Sequence, residues 1–208
     1  MATTAYVTSA EIKADPATVN LGSSFDAVIP QLALRASELI DWLTRREPGA
    51  YDASATASDR YFDAHGERDL YIDECVEVSA VYCRFGSGTD WTTLASTDYV
   101  TWPYNASAQS RPITRLDIDR RQGTHETWPS TGPQSVKVSA KWGYSATPPN
   151  VVKQAVIIQS IRWLRRAQQL YADSGMTAAG TLTYAQRLDP DVETLIKDSG
   201  LMRKAGLF

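Results

Sequence analysis

The sequence predicts an α+β protein: a small helical bundle core carrying a β-rich antiparallel insertion. Three observations lead there. Residues 142–166, WGYSATPPNVVKQAVIIQSIRWLRR, close a strand on aromatics, stop it with two prolines and open a long apolar helix. Between residue 51 and that helix lie short runs of aromatic and β-branched residues, separated by Gly, Ser, Asp and Pro clusters. Amphipathic helical patterns occur before and after this stretch, around Leu32–Leu43 and Val192–Ile196. The predicted organisation is an N-terminal helical segment at 1–50, a β-rich insertion at 51–147, and a long helix with a C-terminal helix and tail at 148–208. The first and last of these form one helical core.

The first helix follows a short N-terminal segment. Leu32, Ala36, Leu39, Ile40 and Leu43 recur at the spacing of one buried face, and Pro48 and Gly49 end it. Pro30 leaves two starts open. The helix begins near the proline, or it begins at Ser23 or Ser24 and kinks there. The apolar Phe25, Val28 and Ile29 favour the kinked version.

Strands are predicted at Arg60–Asp63, Asp69–Asp73, Val76–Phe85, Asp98–Trp102, Ile113–Ile118 and Ser135–Tyr144. In the last of these Val136, Val138, Ala140 and Trp142 alternate with polar residues, which implies a sheet with one wet face. GSGTDWTT at 86–93 reads as a turn. RRQGTHETWPSTGP at 120–133 reads as a long loop that a partner would order.

The long helix, near 149–172, is apolar almost all round at first: Val151, Val152, Ala155, Val156, Ile157, Ile158 and Ile161. Such a helix is expected to be surrounded by protein. Gln159, Arg162, Arg165, Arg166 and Gln169 form a later polar, basic stripe. SGMTAAGTLTY at 174–184 reads as a weakly patterned linker. In the closing helix Asp189 caps, Pro190 takes the first helical position, Asp191 and Glu193 face the helix dipole, and Gly200 ends it. With only Val192, Leu195 and Ile196 to bury, this helix must dock on its own domain or on a partner.

Composition narrows the function classes. The chain has 208 residues, 43% hydrophobic, and a net charge of −3, which argues against a dedicated nucleic-acid binder. The acidic excess lies in residues 1–148, while residues 149–208 are basic. No apolar run reaches the roughly 20 residues of a membrane span. The N-terminus lacks the basic and apolar regions of a signal peptide, so cytoplasmic synthesis is expected. Cys75 and Cys83 would stand roughly 26 Å apart on a continuous strand, so they are expected to be free thiols in a reducing compartment.

No catalytic signature stands out. His65 and His125 could pair with Asp63, Glu67 or Glu126 in a small hydrolase, although loop histidines are more often solvated. The chain has no nucleophile elbow, HExxH, Walker lysine loop or dinucleotide fingerprint. No metal ligand set or cofactor is expected, and GSG at 86–88 is a turn between strands. Trp91, Trp102, Trp128 and Trp142 could form an aromatic row for sugar, which makes a carbohydrate- or receptor-binding module the alternative reading; core packing uses tryptophan more often. The basic stripe Arg162, Arg165 and Arg166 fits a solvated face, carboxylates of a neighbouring subunit, or DNA phosphate, in that order.

Taken in order, RYFD at 60–63, GYSATPPNVVKQA at 143–155 and DPDVETLI at 189–196, with Arg203 and Lys204 beyond, give a pattern that resembles the head–tail connector, or adaptor, proteins of tailed double-stranded DNA bacteriophages. The resemblance covers most of the chain. It implies a structural virion protein of the neck with no enzyme activity. Such a protein forms a homo-oligomeric ring, typically twelve-fold, under the portal protein, extends the DNA channel and receives a stopper or tail terminator. DNA passes without sequence-specific binding. The resemblance also assigns portal docking to the C-terminal segment, with Val192, Leu195, Ile196, Leu201, Arg203, Lys204 and Phe208 as candidates. Arg162, Arg165 and Arg166 are the candidates for contacts between subunits.

Overall fold

The computed structural model describes residues 4–18, 25–86, 90–121, 123–168, 174–176, 182–184 and 188–203. It is an α+β fold. Two compact units divide it: one from the stretches up to Gly49 and from Pro148 onward, the other spanning Ala50–Thr147.

The helical unit opens with α1 (Ser9–Lys13), within the short N-terminal segment that precedes the first helix expected from the sequence. Its start is a capping box. Thr8 Oγ1 accepts from the Glu11 N–H at 3.2 Å, and the Glu11 carboxylate accepts from the Thr8 N–H at 2.7 Å. Glu11 also meets Lys153 at 3.0 Å, which ties α1 to the long helix. Helix α2 runs Ile29–Leu43 with Pro30 in its first turn. The kinked version is therefore corrected: residues 26–28 form a turn and the helix starts at the proline. A proline costs nothing where the N–H has no intrahelical partner. The buried face is also rotated from the expected one. Ile29, Ala33, Ala36, Ser37, Ile40 and Asp41 are buried, whereas Leu32, Leu39 and Leu43 are only half-buried.

Helix α3 spans Asn150–Gln168. Val152, Ala155, Val156, Gln159, Ile161 and Leu164 are buried, while Val151, Ile157 and Ile158 stay half-exposed, so the unit does not fully surround its first turns. Two short strands follow, β7 (Ser174–Met176) and β8 (Leu182–Tyr184), paired antiparallel; the stretch expected to be a linker holds a hairpin. Helix α4 (Pro190–Asp198) is capped by Asp189, whose side chain accepts from the Asp191 N–H at 3.0 Å. Gly200 sits beyond its end at φ 68°, a left-handed conformation that glycine adopts without a Cβ clash.

The other unit is a six-stranded antiparallel sheet. Its strands are β1 (Ser58–Ala64), β2 (Asp69–Cys83), β3 (Thr92–Leu94), β4 (Tyr99–Trp102), β5 (Ile113–Ile118) and β6 (Gly132–Trp142). The order is β1-β6-β2-β5-β4, with β3 added on β2. The two strands expected at 69–73 and 76–85 are one long β2. Its pairing shifts register between Tyr71 and Cys75, between Cys75 and Glu77, and between Val78 and Ala80. Each bulge re-aims the side chains, so the alternation looks broken in a strand that continues. Thr92 and Thr93, expected in a turn, belong to β3.

Val136, Val138, Ala140 and Trp142 all face the core, none more than 2% exposed. They pack with Val81, Cys83, Leu116, Ile118 and Trp128. Trp128 anchors the loop expected to need a partner: it is fully buried, and its backbone N–H donates to the Glu67 carbonyl at 2.9 Å. Gly143 is required where β6 leaves the sheet. Its φ is +141°, and a Cβ there would stand 2.9 Å from the Ala50 carbonyl oxygen.

Candidate functional site

The residues expected to dock on a partner separate into two groups. Val192, Ile196 and Leu201 are buried inside the helical unit, so their apolar surface is used within the chain. Leu195 is half-buried and Arg203 partly exposed. The chain just past α4 is pinned to the end of α2: the Arg46 guanidinium donates to the Leu201 carbonyl, and the Arg203 N–H donates to the Thr44 carbonyl at 3.2 Å. Lys204 and Phe208 lie outside the described residues.

The basic stripe divides similarly. Arg162 is paired within the chain, its guanidinium 2.7 Å from Asp189. Gln159 is fully buried, and its side-chain oxygen accepts from the Asp189 N–H at 3.1 Å. These two α3 side chains therefore hold the cap of α4. Arg165 is exposed, and Arg166 is half-buried. Gln169 lies outside the described residues. Arg162, Arg165 and Arg166, with Asp15, Asp189 and Asp191, line a cavity of about 470 Å³.

A neighbouring side of α3, reached past Arg166, is largely apolar. Val28, Leu32, Arg35, Trp163, Arg166 and Ala167 line a cavity of about 280 Å³. Leu39, Trp42, Leu43, Trp163, Arg166 and Leu188 line another of about 560 Å³. The shared Trp163 and Arg166 make them one groove along α2. Trp42 is 73% exposed at its edge. The buried face of α2 holds a carboxylate. Asp41 accepts from the Tyr6 hydroxyl at 2.5 Å and from the Gly49 N–H at 2.9 Å, and burial pushes its pKa up from 3.8.

In the sheet unit the proposed chemistry is not assembled. His65 is exposed, and His125 stacks on Phe85 at 4.0 Å; neither is paired with Asp63, Glu67 or Glu126. Cys75 and Cys83 are free, and burial pushes both thiols up to about 12, so they stay protonated. No group of His, Cys, Asp and Glu among the described residues could hold a metal ion. No helix among them is long and apolar enough to cross a membrane. The four tryptophans do not form a free row: Trp128 and Trp142 are in the core, Arg84 covers Trp91 at 4.1 Å and Arg115 covers Trp102 at 4.7 Å.

The sequence matches no family model and no curated protein. Solved structures do match. One is a chain in the neck of an empty gene transfer agent particle, computed with C6 symmetry: TM-score 0.51, 18% identity, 97% of this chain and 96% of that one. The chain shares that fold along nearly its whole length. A chain in the neck of the native particle, computed with C12 symmetry, aligns over the same shares with TM-score 0.49 and 17% identity. A chain in the virion of the native particle aligns with TM-score 0.49 and 18% identity.

Sequence reasoning missed the groove and the buried carboxylate of α2. The signal for the groove was present: Val28, Leu32, Arg35, Leu39 and Trp42 follow one another at steps of four, three, four and three, a heptad line beside the buried face. Nothing in the sequence marks Asp41, because its partners Tyr6 and Gly49 meet it only in the fold.

Proposed function

We propose that the protein is a structural subunit of the neck of a tailed-phage-like particle, a head–tail adaptor without enzymatic activity. The observation that carries this reading is the end-to-end likeness of fold to a chain in a gene transfer agent neck. It coincides with an adaptor-like order of motifs in the sequence. In this reading the subunit joins a ring under the portal protein, surrounds the DNA path and receives the next neck protein, a stopper or tail terminator. It resides in the virion, after synthesis in the host cytoplasm.

Portal docking belongs here to the residues beyond α4, from Arg203 through Lys204 to Phe208, and to Leu195. Among the inter-subunit arginines, Arg165 presents an exposed guanidinium, while Arg162 holds α4. The acidic balance of residues 1–148 suits a conduit that must not grip phosphate. The test is fractionation of particles on a density gradient, with quantitation of this protein against the portal by mass spectrometry. Near-equal copy number in DNA-filled particles is expected; absence from particles overturns the reading.

A further inference from the structure

We infer that the α2–α3 groove is a docking site for an amphipathic α-helix with acidic flanks, supplied by another protein. The groove fits that occupant in shape, pattern and charge.

Helix α2 has two apolar faces. Ile29, Ala33, Ala36 and Ile40 face its own core and are buried to 1% exposure or less. The other face is the line Val28, Leu32, Arg35, Leu39 and Trp42, with Leu43 beside it, half-buried or exposed and apolar but for Arg35. One buried stripe is enough to hold a helix on its domain. A second stripe at heptad spacing is the pattern by which a helix receives another helix. Along α2 this line extends for about 22 Å, roughly two heptads of an ideal helix. Across the groove Trp163 and Ala167 stand one turn apart on α3. A third helix can thus lie between two rows of knobs, which is the helix-in-groove mode of recognition. A β-strand offers a two-residue period and would leave these spacings unmatched.

Charge selects among helices. The charged residues that line the two cavities, among the described residues, are Arg35 and Arg166, and both are cationic. Arg35 is exposed on the rim. Carboxylates flanking the apolar stripe of the incoming helix meet this rim; lysines there are repelled. DNA phosphate does not fit, because the walls are apolar and phosphate binding needs several cations at the surface. Trp42 is the natural anchor: large, exposed and set beside the larger of the two cavities.

The inference stands on the helical unit alone and holds or fails apart from the neck reading. Its test uses the full chain and two fluorescent synthetic peptides that carry about two heptads of pattern, with Leu at the a and d positions and either Glu or Lys at e and g. Anisotropy titration is expected to show the Glu peptide binding at least about tenfold more tightly than the Lys peptide. Trp42→Ala and Leu39→Glu are each expected to weaken it by about tenfold or more. Arg35→Glu is expected to remove the preference for Glu. Trp42→Ala keeps the test decisive should Leu39→Glu fail to fold. Three results overturn the proposal: neither peptide binds, both bind equally, or light scattering shows a dimer that Leu39→Glu converts to monomer, in which case a second copy fills the groove.

Discussion

The sheet unit and the helical unit treat exposed aromatic side chains in opposite ways. In the sheet unit four outward aromatics have a cation from their own chain, and the more exposed Tyr61 and Tyr104 pack against two of them, Trp91 and Trp102. Arg84 lies over Trp91, Arg115 over both Trp102 and Tyr71, and Lys137 over Tyr82. These contacts lie between neighbouring strands and stabilise the outer face where it stands. In the helical unit Trp42 projects 73% exposed beside a groove whose walls are leucine and tryptophan. One unit covers much of its outward aromatic surface with cations of its own chain; the other leaves an apolar groove for something else to cover. The capacity to bind therefore lies where aromatic surface is left unsatisfied, not where aromatics are most numerous.

Tryptophan substitution gives the largest contrast. Trp128→Ala empties a fully buried site and is expected to cost about 3–5 kcal/mol in denaturant unfolding. Trp42→Ala is expected to change stability by no more than about 0.5 kcal/mol. Equal losses from the two substitutions would show that Trp42 supports the fold, and the contrast between the units would collapse.

The buried carboxylate comes next. Asp41→Ala leaves the Tyr6 hydroxyl and the Gly49 N–H without their acceptor, and each buried orphan costs about 1–3 kcal/mol. Its pH dependence has a definite sign. Because the folded pKa lies above 3.8, the fold binds the proton more tightly than the unfolded chain does. The contribution of Asp41 is fully present below 3.8 and is lost as pH rises through the folded value. Asp41→Asn is expected to flatten that decline in a series of denaturant midpoints against pH; an unchanged slope would remove Asp41 as its source.

The smallest effect has the opposite sign. Hydrogen bonds from the Thr8 backbone and from Lys153 hold the Glu11 pKa down from 4.5 to about 2. Its contribution is present above 4.5 and is lost as pH falls through about 2. The side chain is 39% exposed, so solvent screening keeps the effect under about 1 kcal/mol. Protease accessibility of the segment before α1 is the readout. It should rise on acidification in the wild type and be already raised, without a pH step, in Glu11→Gln.

Much of the site region was legible in one dimension and misread in three. Short-range chemistry was reliable. Asp189, Pro190 and Gly200 marked α4 because capping depends on neighbours within a turn. The alternation from Val136 to Trp142 marked a core face because a strand has a period of two. The same logic was available for α1, where Thr8 and Glu11 form a capping box that was passed over. What the sequence left hidden were partners distant in the chain. Arg162, expected to serve between subunits, pairs with Asp189, twenty-seven residues on. Val192, Ile196 and Leu201, expected to dock on the portal, pack inside their own unit.

The sequence by itself determined the α+β class, the helix caps, the inward face of β6 and the need of a short C-terminal helix for a surface to lie on. These follow from local sterics and periodicity, which depend only on residues close in the chain. The tertiary structure decided which surface that helix took, which of the two apolar stripes of α2 faces inward, and which arginine is paired. Each is a competition among partners far apart in sequence, settled by the packing of α1 and α3 against one side of α2. The stripe that packing left over became the groove.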